Sequence, residues 1–263
     1  MKRFLSLGAG VQSSTLALMI AHGEVESVDA AIFADTGWEP RKVYEWLDWL
    51  ESRLPYPINR VFNGNLRQAI VNKALHGTRT AAVPFHMLTP KGDHSMGRRQ
   101  CTFEHKITPI KRETRRLLGL VPKQRAKGVL CQTFIGISTD EAMRMKPSAD
   151  AWNVNRWPLI ELGMSRWDCL QWMKRNGYPL PPKSSCIGCP YHNDEEWRAI
   201  KADPEAWADA VEIDKLIRNE SGMKNQQFLH RSCVPLDEAD LSTAADHGQI
   251  DLFNNECEGM CGV

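Results

Sequence analysis

No stretch of this chain is long and apolar enough to span a bilayer. The apolar start, Phe4 to Leu7, gives way to glycine too soon to be the core of a signal peptide. There is no internal repeat and no low-complexity block. Formal net charge is only +1 over 263 residues, so the global balance names no partner. These absences lead us to expect a cytoplasmic protein with no membrane association, in which thiols stay mostly reduced. The eight cysteines then call for an account other than disulfides: metal binding, catalysis or burial.

What is present fits one α/β domain, or one domain with a tail. An apolar share of 42% is enough for a sizeable core. Phe4 to Leu7 reads as a short buried strand, Ser13 to His22 as a helix, and Val28 to Ala34 as a second strand. Arg41 to Leu54 is an amphipathic helix pattern, and Ile58 to Phe62 a third strand. This alternation predicts a parallel sheet with crossover helices. Residues 77–100 are punctuated by glycine and proline and read as a long irregular loop. Residues 102–119 read as a basic helix and Leu130 to Ile137 as a strand. Ser165 to Asn176 reads as a helix with Ser165 as its N-cap and Gly177 as its stop. Residues 193–219 carry two helical patterns, the second beginning near Pro204, and the tail after Val234 is acidic.

Charge is uneven along the chain. From Arg98 to Lys127 basic residues dominate, opposed only by Glu104 and Glu113. Such a run suits a solvated helix face. It equally suits a patch for a phosphate-rich ligand, either a nucleotide or a nucleic-acid backbone.

The first strand runs straight into Ser6-Leu7-Gly8-Ala9-Gly10-Val11-Gln12-Ser13-Ser14. In open parallel sheets ligands bind beyond the carboxyl ends of strands. Small residues there let backbone N–H groups approach phosphate oxygens, and the following helix adds its dipole and free donors. A structural turn has the same composition, so the loop alone does not decide.

Here the chain resembles the PP-loop superfamily, whose loop reads Ser-Gly-Gly-x-Asp-Ser. Gly8-Ala9-Gly10-Val11-Gln12-Ser13 aligns with it but lacks the first Ser and the Asp. Four further segments are similar to the phosphoadenosine phosphosulfate reductase family. Asp35-Thr36-Gly37 closes the second strand, as that family's Asp-Thr-Gly does beside the nucleotide. Gly136-Ile137-Ser138-Thr139-Asp140-Glu141-Ala142-Met143-Arg144 resembles its Gly-x-x-x-Asp-Glu-Ser-x-x-Arg. There Asp140, Glu141 and Arg144 suit Mg²⁺ and phosphate positioning, or simply a helix N-terminus. Arg156-Trp157-Pro158-Leu159-Ile160 with Trp167-Asp168 matches a packing segment, and Cys186-Ile187-Gly188-Cys189 matches the Cys-x-x-Cys of the iron–sulfur members. Those members also carry two adjacent cysteines before a Lys-x-x-Pro segment. Here Gln100-Cys101 precedes Lys106-Ile107-Thr108-Pro109, with one cysteine replaced.

The resemblance implies an α/β, parallel-sheet PP-loop domain of the adenine nucleotide alpha-hydrolase type over residues 1–190. Residues 191–263 follow as a helical region and a cysteine-containing C-terminal extension. It implies that Cys101, Cys186 and Cys189 share a [4Fe–4S] cluster, with Cys233, Cys131 and His192 as candidates for a fourth ligand. From spacing alone, zinc or a redox dithiol serves as well. Cys131 and Cys169 sit in apolar patterns and read as buried and inert. The Cys257 tail resembles the Glu-Cys-Gly end of sulfonucleotide reductases, whose cysteine attacks sulfur; an extra Glu258 interrupts it.

Two enzymes fit these residues. One cleaves ATP between the α- and β-phosphates and adenylylates an acceptor for sulfur insertion. That acceptor is a nucleic acid, DNA or tRNA, and a cysteine desulfurase or the cluster supplies sulfur. The other reduces adenylyl or phosphoadenylyl sulfate through Cys257, with a thioredoxin-like reductant. A non-catalytic nucleotide-binding regulatory subunit is the third reading.

Overall fold

The computed structural model describes residues 1–219, 224–243 and 246. In chain order the elements begin with β1 (Lys2–Leu7), α1 (Val11–Ala21), β2 (Ala30–Asp35), α2 (Arg41–Glu51), β3 (Ile58–Phe62) and α3 (Leu66–His76). Two short strands follow, β4 (His86–Leu88) and β5 (His94–Met96), then a π-helical turn at Phe103–Ile107 that runs into α4 (Thr108–Leu117). Next come β6 (Cys131–Ile135), a 3₁₀ turn at Thr139–Arg144, β7 (Asn153–Arg156), α5 (Pro158–Glu161) and α6 (Arg166–Arg175). The last are α7 (Asp194–Lys201), α8 (Pro204–Arg218) and β8 (Gln226–Phe228).

The main sheet has five strands in the order β3-β2-β1-β6-β7, and every neighbouring pair is parallel. The expected alternation of strands and helices is therefore what forms. Side chains alternate across the strands. Leu5 and Leu7 of β1, Ala31 and Phe33 of β2 and Phe134 of β6 join one core with α1, α2 and α6. Phe4, Ala30, Ile32 and Cys131 face the other way, toward Trp152 and the α4 residues Ile110 and Leu117. Both faces are covered, which is why the strands read as near-continuous apolar runs.

Each helix has a local cause. α2 buries Val43, Trp46, Leu47 and Leu50, the spacing of one helical face. α1 is buried all round from Val11 to Ile20, so its polar first turn is sealed between sheet and helices. Ser165 caps α6 in a reciprocal capping box with Asp168, as its sequence predicts, and such a cap stabilises by about 1 kcal/mol. Asn193 and Asp203 cap α7 and α8, the latter with Pro204 in the first turn.

The region expected to be a long irregular loop contributes two strands. β4 pairs antiparallel with β5 and with β8, so residues 86–96 are tied to residues 226–228. A second core runs across the expected boundary at residue 190. Trp38, Leu66, Ile70 and Phe85 pack there with Trp197, Ala210, Ile213, Leu229 and Leu236. The fully buried Asp214 fastens the C-terminal segment by accepting from Leu229 N at 2.9 Å and Leu236 N at 3.0 Å. Among the described residues no helix is long and apolar enough to cross a membrane.

The Cys186–Cys189 turn is pressed onto Trp38. Ile187 N donates to Trp38 O at 2.8 Å, and a Cβ on Gly188 would lie 2.1 Å from the Trp38 ring. Gly188→Ala must push Trp38 away from its hydrogen bond to Asp209 (2.6 Å). We expect it to destabilise by about 1–3 kcal/mol in urea unfolding.

Candidate functional site

β1 passes into α1 through Gly8, Ala9 and Gly10 alone. Ser13 braces this turn: its Oγ accepts from Gly8 N at 3.2 Å and donates to Gly10 O at 3.3 Å. Ala9 sits in the left-handed region at φ 59°, unusual for a residue with a side chain and costing roughly 1–2 kcal/mol. It is fully buried, so core packing holds the strained turn. α1 has no side-chain cap and no acidic residue in its first turn. Its first N–H groups and the positive end of its dipole are therefore left for a ligand.

A cavity of about 480 Å³ opens at this turn. It lies beyond the carboxyl ends of β1, β2 and β6, where the strand order reverses around β1. The cations Lys106, Lys111, Arg144, Lys146 and Lys183 line it, against the carboxylates Glu141 and Asp150. Lys111 pairs with Asp150 (2.6 Å), Lys183 with Glu196 (2.5 Å) and Arg144 with Glu141. The exposed Lys146 has no ion-pair partner among the described residues. Phe33, Ile107, Ile110, Ile135 and Trp152 form an apolar wall. A basic, glycine-floored end and an apolar end suit a phosphorylated ligand with a flat ring.

Of the residues expected to bind a nucleotide, Ser6, Gly8, Gly10, Gln12, Ser13, Gly136, Glu141 and Arg144 line the cavity. Gln12, standing where the resembled loop carries Asp, donates to Glu141 Oε2 at 3.4 Å. The carboxylate missing from the loop thus arrives from the 3₁₀ turn. Gly136 is required for packing: a Cβ there would meet Ser13 Cα at 2.7 Å.

The remaining expected residues lie elsewhere. Ala9 is sealed in the core. Ser14 is fully buried and accepts from Trp46 Nε1 at 2.9 Å, so its hydroxyl is turned from the cavity. Asp35 accepts from Gly37 N (2.7 Å) and Tyr44 Oη (2.9 Å) and shapes the turn after β2, and Gly37 packs on Asn65. Asp140 is exposed and accepts from Arg166 N at 2.6 Å, at the start of α6. Thr36 lines a different cavity.

That second cavity is small, about 30 Å³, and Cys101, Cys186 and Cys189 all line it, with Thr36, Trp38 and Tyr191. Lys106, in the π-helical turn, lines both cavities. Three chain segments build both: residues 33–38, 101–107 and 183–191. Cys186 Sγ lies 3.2 Å from Thr36 Oγ1 and 3.7 Å from Glu39 Oε1. Among the described residues no three His, Cys, Asp or Glu side chains are close enough to hold a single metal ion. Gln100, in place of the paired cysteine, accepts from Ala82 N at 3.1 Å.

The candidates for a fourth ligand are committed otherwise. The ring nitrogens of His192 bond Cys186 O (3.0 Å) and Glu196 Oε2 (3.2 Å), anchoring the cysteine loop. Burial pushes the Cys131 thiol up to about 11 and, with Asp140 and Asp168 near, the Cys169 thiol up to about 12. Both match the expectation of inert thiols. Cys233 is buried, its thiol also pushed up, and lies outside both cavities. Cys257 and Cys261 lie outside the described residues.

The basic run divides. Lys106 and Lys111 line the cavity. Arg112, Arg115 and Arg116 are engaged with Asn63, with the carbonyls of Val121 and Gln124, and with Glu113. Lys123, Arg125 and Lys127 are exposed on the loop that leads into the start of β6, at the opposite end of the strand from the glycine turn. Lys146 and Lys183 carried no motif that marked them. Glu39, buried beside Cys186, also went unmarked.

Gly10 has an extended backbone, and a Cβ there meets only Ser184 Cβ at 3.9 Å. Gly10→Val should fold with near-normal stability and lose affinity for a phosphorylated ligand by tenfold or more, read by calorimetry and thermal unfolding. Glu196 offers a second check. Burial opposes its charge, yet hydrogen bonds from His192 and Lys183 hold its carboxyl down at about 2. A folded-state value below the ordinary 4.5 stabilises fully above 4.5 and is lost as pH falls toward 2. Glu196→Gln should therefore cost roughly 2–3 kcal/mol at neutral pH. That difference should shrink below pH 4.5 in denaturation measured across the acid range.

No protein-family model matches the chain, and no curated protein matches it. The fold is similar to a crystal structure of phosphoadenylyl-sulfate (PAPS) reductase from Candida auris, determined as a phosphate complex. The two are 13% identical, with a TM-score of 0.44 over 69% of this chain and 75% of that one.

Proposed function

We propose that this chain is an adenine-nucleotide-dependent enzyme of sulfur chemistry of the PP-loop type. One observation carries the reading: a cavity lined by lysines and the glycine turn lies beside a cavity lined by three cysteines, with Lys106 in the wall of both. Phosphates would lie against Gly8, Gly10, Gln12 and Ser13 at the N-terminus of α1, and the ring against Phe33, Ile135 and Trp152. Mg²⁺ is commonly held by one or two carboxylates together with substrate phosphates. Glu141, which accepts from Gln12 and pairs with Arg144, would take it.

Cys101, Cys186 and Cys189 line one small cavity, and we favour an iron–sulfur cluster over zinc there because the Cys186–Cys189 spacing resembles that of the family's iron–sulfur members. Among the described residues no three such side chains converge on a single-ion position. Cys101, Cys186 and Cys189 would hold such a cluster, which would offer an iron without a protein ligand to an incoming sulfur species.

In the reading we favour, ATP is the nucleotide. An oxygen of the acceptor attacks the α-phosphorus, the bond to the bridging oxygen breaks, and pyrophosphate leaves. A sulfur nucleophile then displaces AMP, which departs with the acceptor's oxygen. The acceptor would be a nucleic acid, DNA or tRNA, with a cysteine desulfurase as sulfur source. The placement of Glu141 beside Gln12 favours this reading, because it restores a carboxylate to a loop that lacks its Asp. The reductase reading, with Cys257 as nucleophile and a thioredoxin-like partner, uses the same cavity for a sulfonucleotide.

The test is anaerobic purification and incubation with ATP and acceptor, and separately with each sulfonucleotide. We expect brown protein with iron and acid-labile sulfide, and pyrophosphate release from ATP. Sulfite release that is lost in Cys257→Ser but kept in Cys261→Ser would establish the reductase instead. Stoichiometric zinc without sulfide would overturn the cluster.

A further inference from the structure

Glu39 stands outside every role described above, and its surroundings are unusual for a carboxylate. Its side chain has no exposure to solvent. One oxygen, Oε1, gathers three contacts: Thr36 Oγ1 donates to it at 3.1 Å, Cys186 Sγ lies at 3.7 Å and Lys106 Nζ at 3.5 Å. The other oxygen, Oε2, is buried without a hydrogen-bond partner. Burying a carboxylate costs several kcal/mol, and a bare oxygen adds to that cost. Packing alone does not call for a charge here, since Val43 and Trp46 supply the apolar contacts of the adjoining helix.

What the charge faces is Lys106, whose side chain is only 15% exposed and which lines both cavities. A lysine stem is flexible, and its ammonium takes up whatever anion holds it. Its own backbone is set by the π-helical turn, and Glu39 approaches from the segment after β2. We infer that Glu39 is a positioning residue: it holds the Lys106 ammonium in the shared wall, aimed at the phosphate end of the nucleotide cavity. This rests on the nucleotide reading given above. It adds the group that fixes the cation before the ligand arrives, with Thr36 orienting the carboxylate in turn.

Glu39→Gln should act on anion binding with a sign opposite to simple electrostatics. Removing a negative charge from beside an anion site should tighten anion binding by Coulomb attraction. If Glu39 instead positions Lys106, Glu39→Gln should weaken binding of ATP or adenylyl sulfate, whichever the wild type binds. The expected loss is about tenfold, the effect of misplacing one charge-assisted hydrogen bond.

A double-mutant cycle then separates positioning from bulk structure. On a Lys106→Met background, Glu39→Gln should change affinity less than twofold. Should Glu39→Gln fail to fold, Thr36→Val carries the same cycle, with a several-fold loss that vanishes on the Lys106→Met background. Unchanged or tighter binding by Glu39→Gln overturns the inference, as does a loss that persists in full without Lys106. A wild-type protein that binds neither nucleotide rejects the underlying reading and this inference with it.

Discussion

How near β6 can come to the first turn of α1 decides the shape of the site. The backbones of Gly136 and Ser13 meet so closely that no side chain fits between them. That contact brings the end of β6, and with it the 3₁₀ turn carrying Glu141 and Arg144, over the glycine turn that ends β1. Ser13 reinforces the same point from the other side, bracing Gly8 and Gly10 through one hydroxyl. The left-handed Ala9 is the cost of turning strand into helix in three residues, and the core around it absorbs that cost.

A parallel sheet is legible because its signals are local and repeated. Strands buried on both faces read as apolar runs, and helices between them show the spacing seen in α2. β3 was read at its observed limits, and α6 within a residue at either end, because Ser165 and Gly177 mark its cap and its stop. β4, β5 and β8 were not legible. Each has three residues; β4 and β5 form a short hairpin, and its pairing with β8 joins positions far apart in the chain, which no local pattern records.

The site divides along the same line. Glycines and serines of the first turn were legible because one short segment contains them. Ser14 belongs to that segment by sequence, but the helical rotation of one residue turns it to Trp46 instead of the cavity. Asp140 and Glu141 are adjacent and chemically alike. A single step along the 3₁₀ turn sends one to α6 and the other to Gln12. Lys146, Lys183 and Glu39 left no local trace, since each depends on a loop whose course is set by tertiary packing.

Three segments contribute side chains to both cavities, so a change in one of them bears on both spaces. Residues 101–107 place Cys101 at one end and Lys106 and Ile107 at the other. Residues 183–191 do the same with Cys186 and Cys189 against Lys183 and Ser184. Glu196 holds Lys183, which lines the larger cavity, and His192, which bonds the Cys186 carbonyl, so one carboxylate fastens both ends of that segment. A charge arriving in the larger cavity acts on Lys106 and Lys183. Both are tied through a carboxylate, Glu39 or Glu196, to the segment that carries the cysteines. The same short loops therefore border both spaces, and the two carboxylates fix how those loops lie against each other.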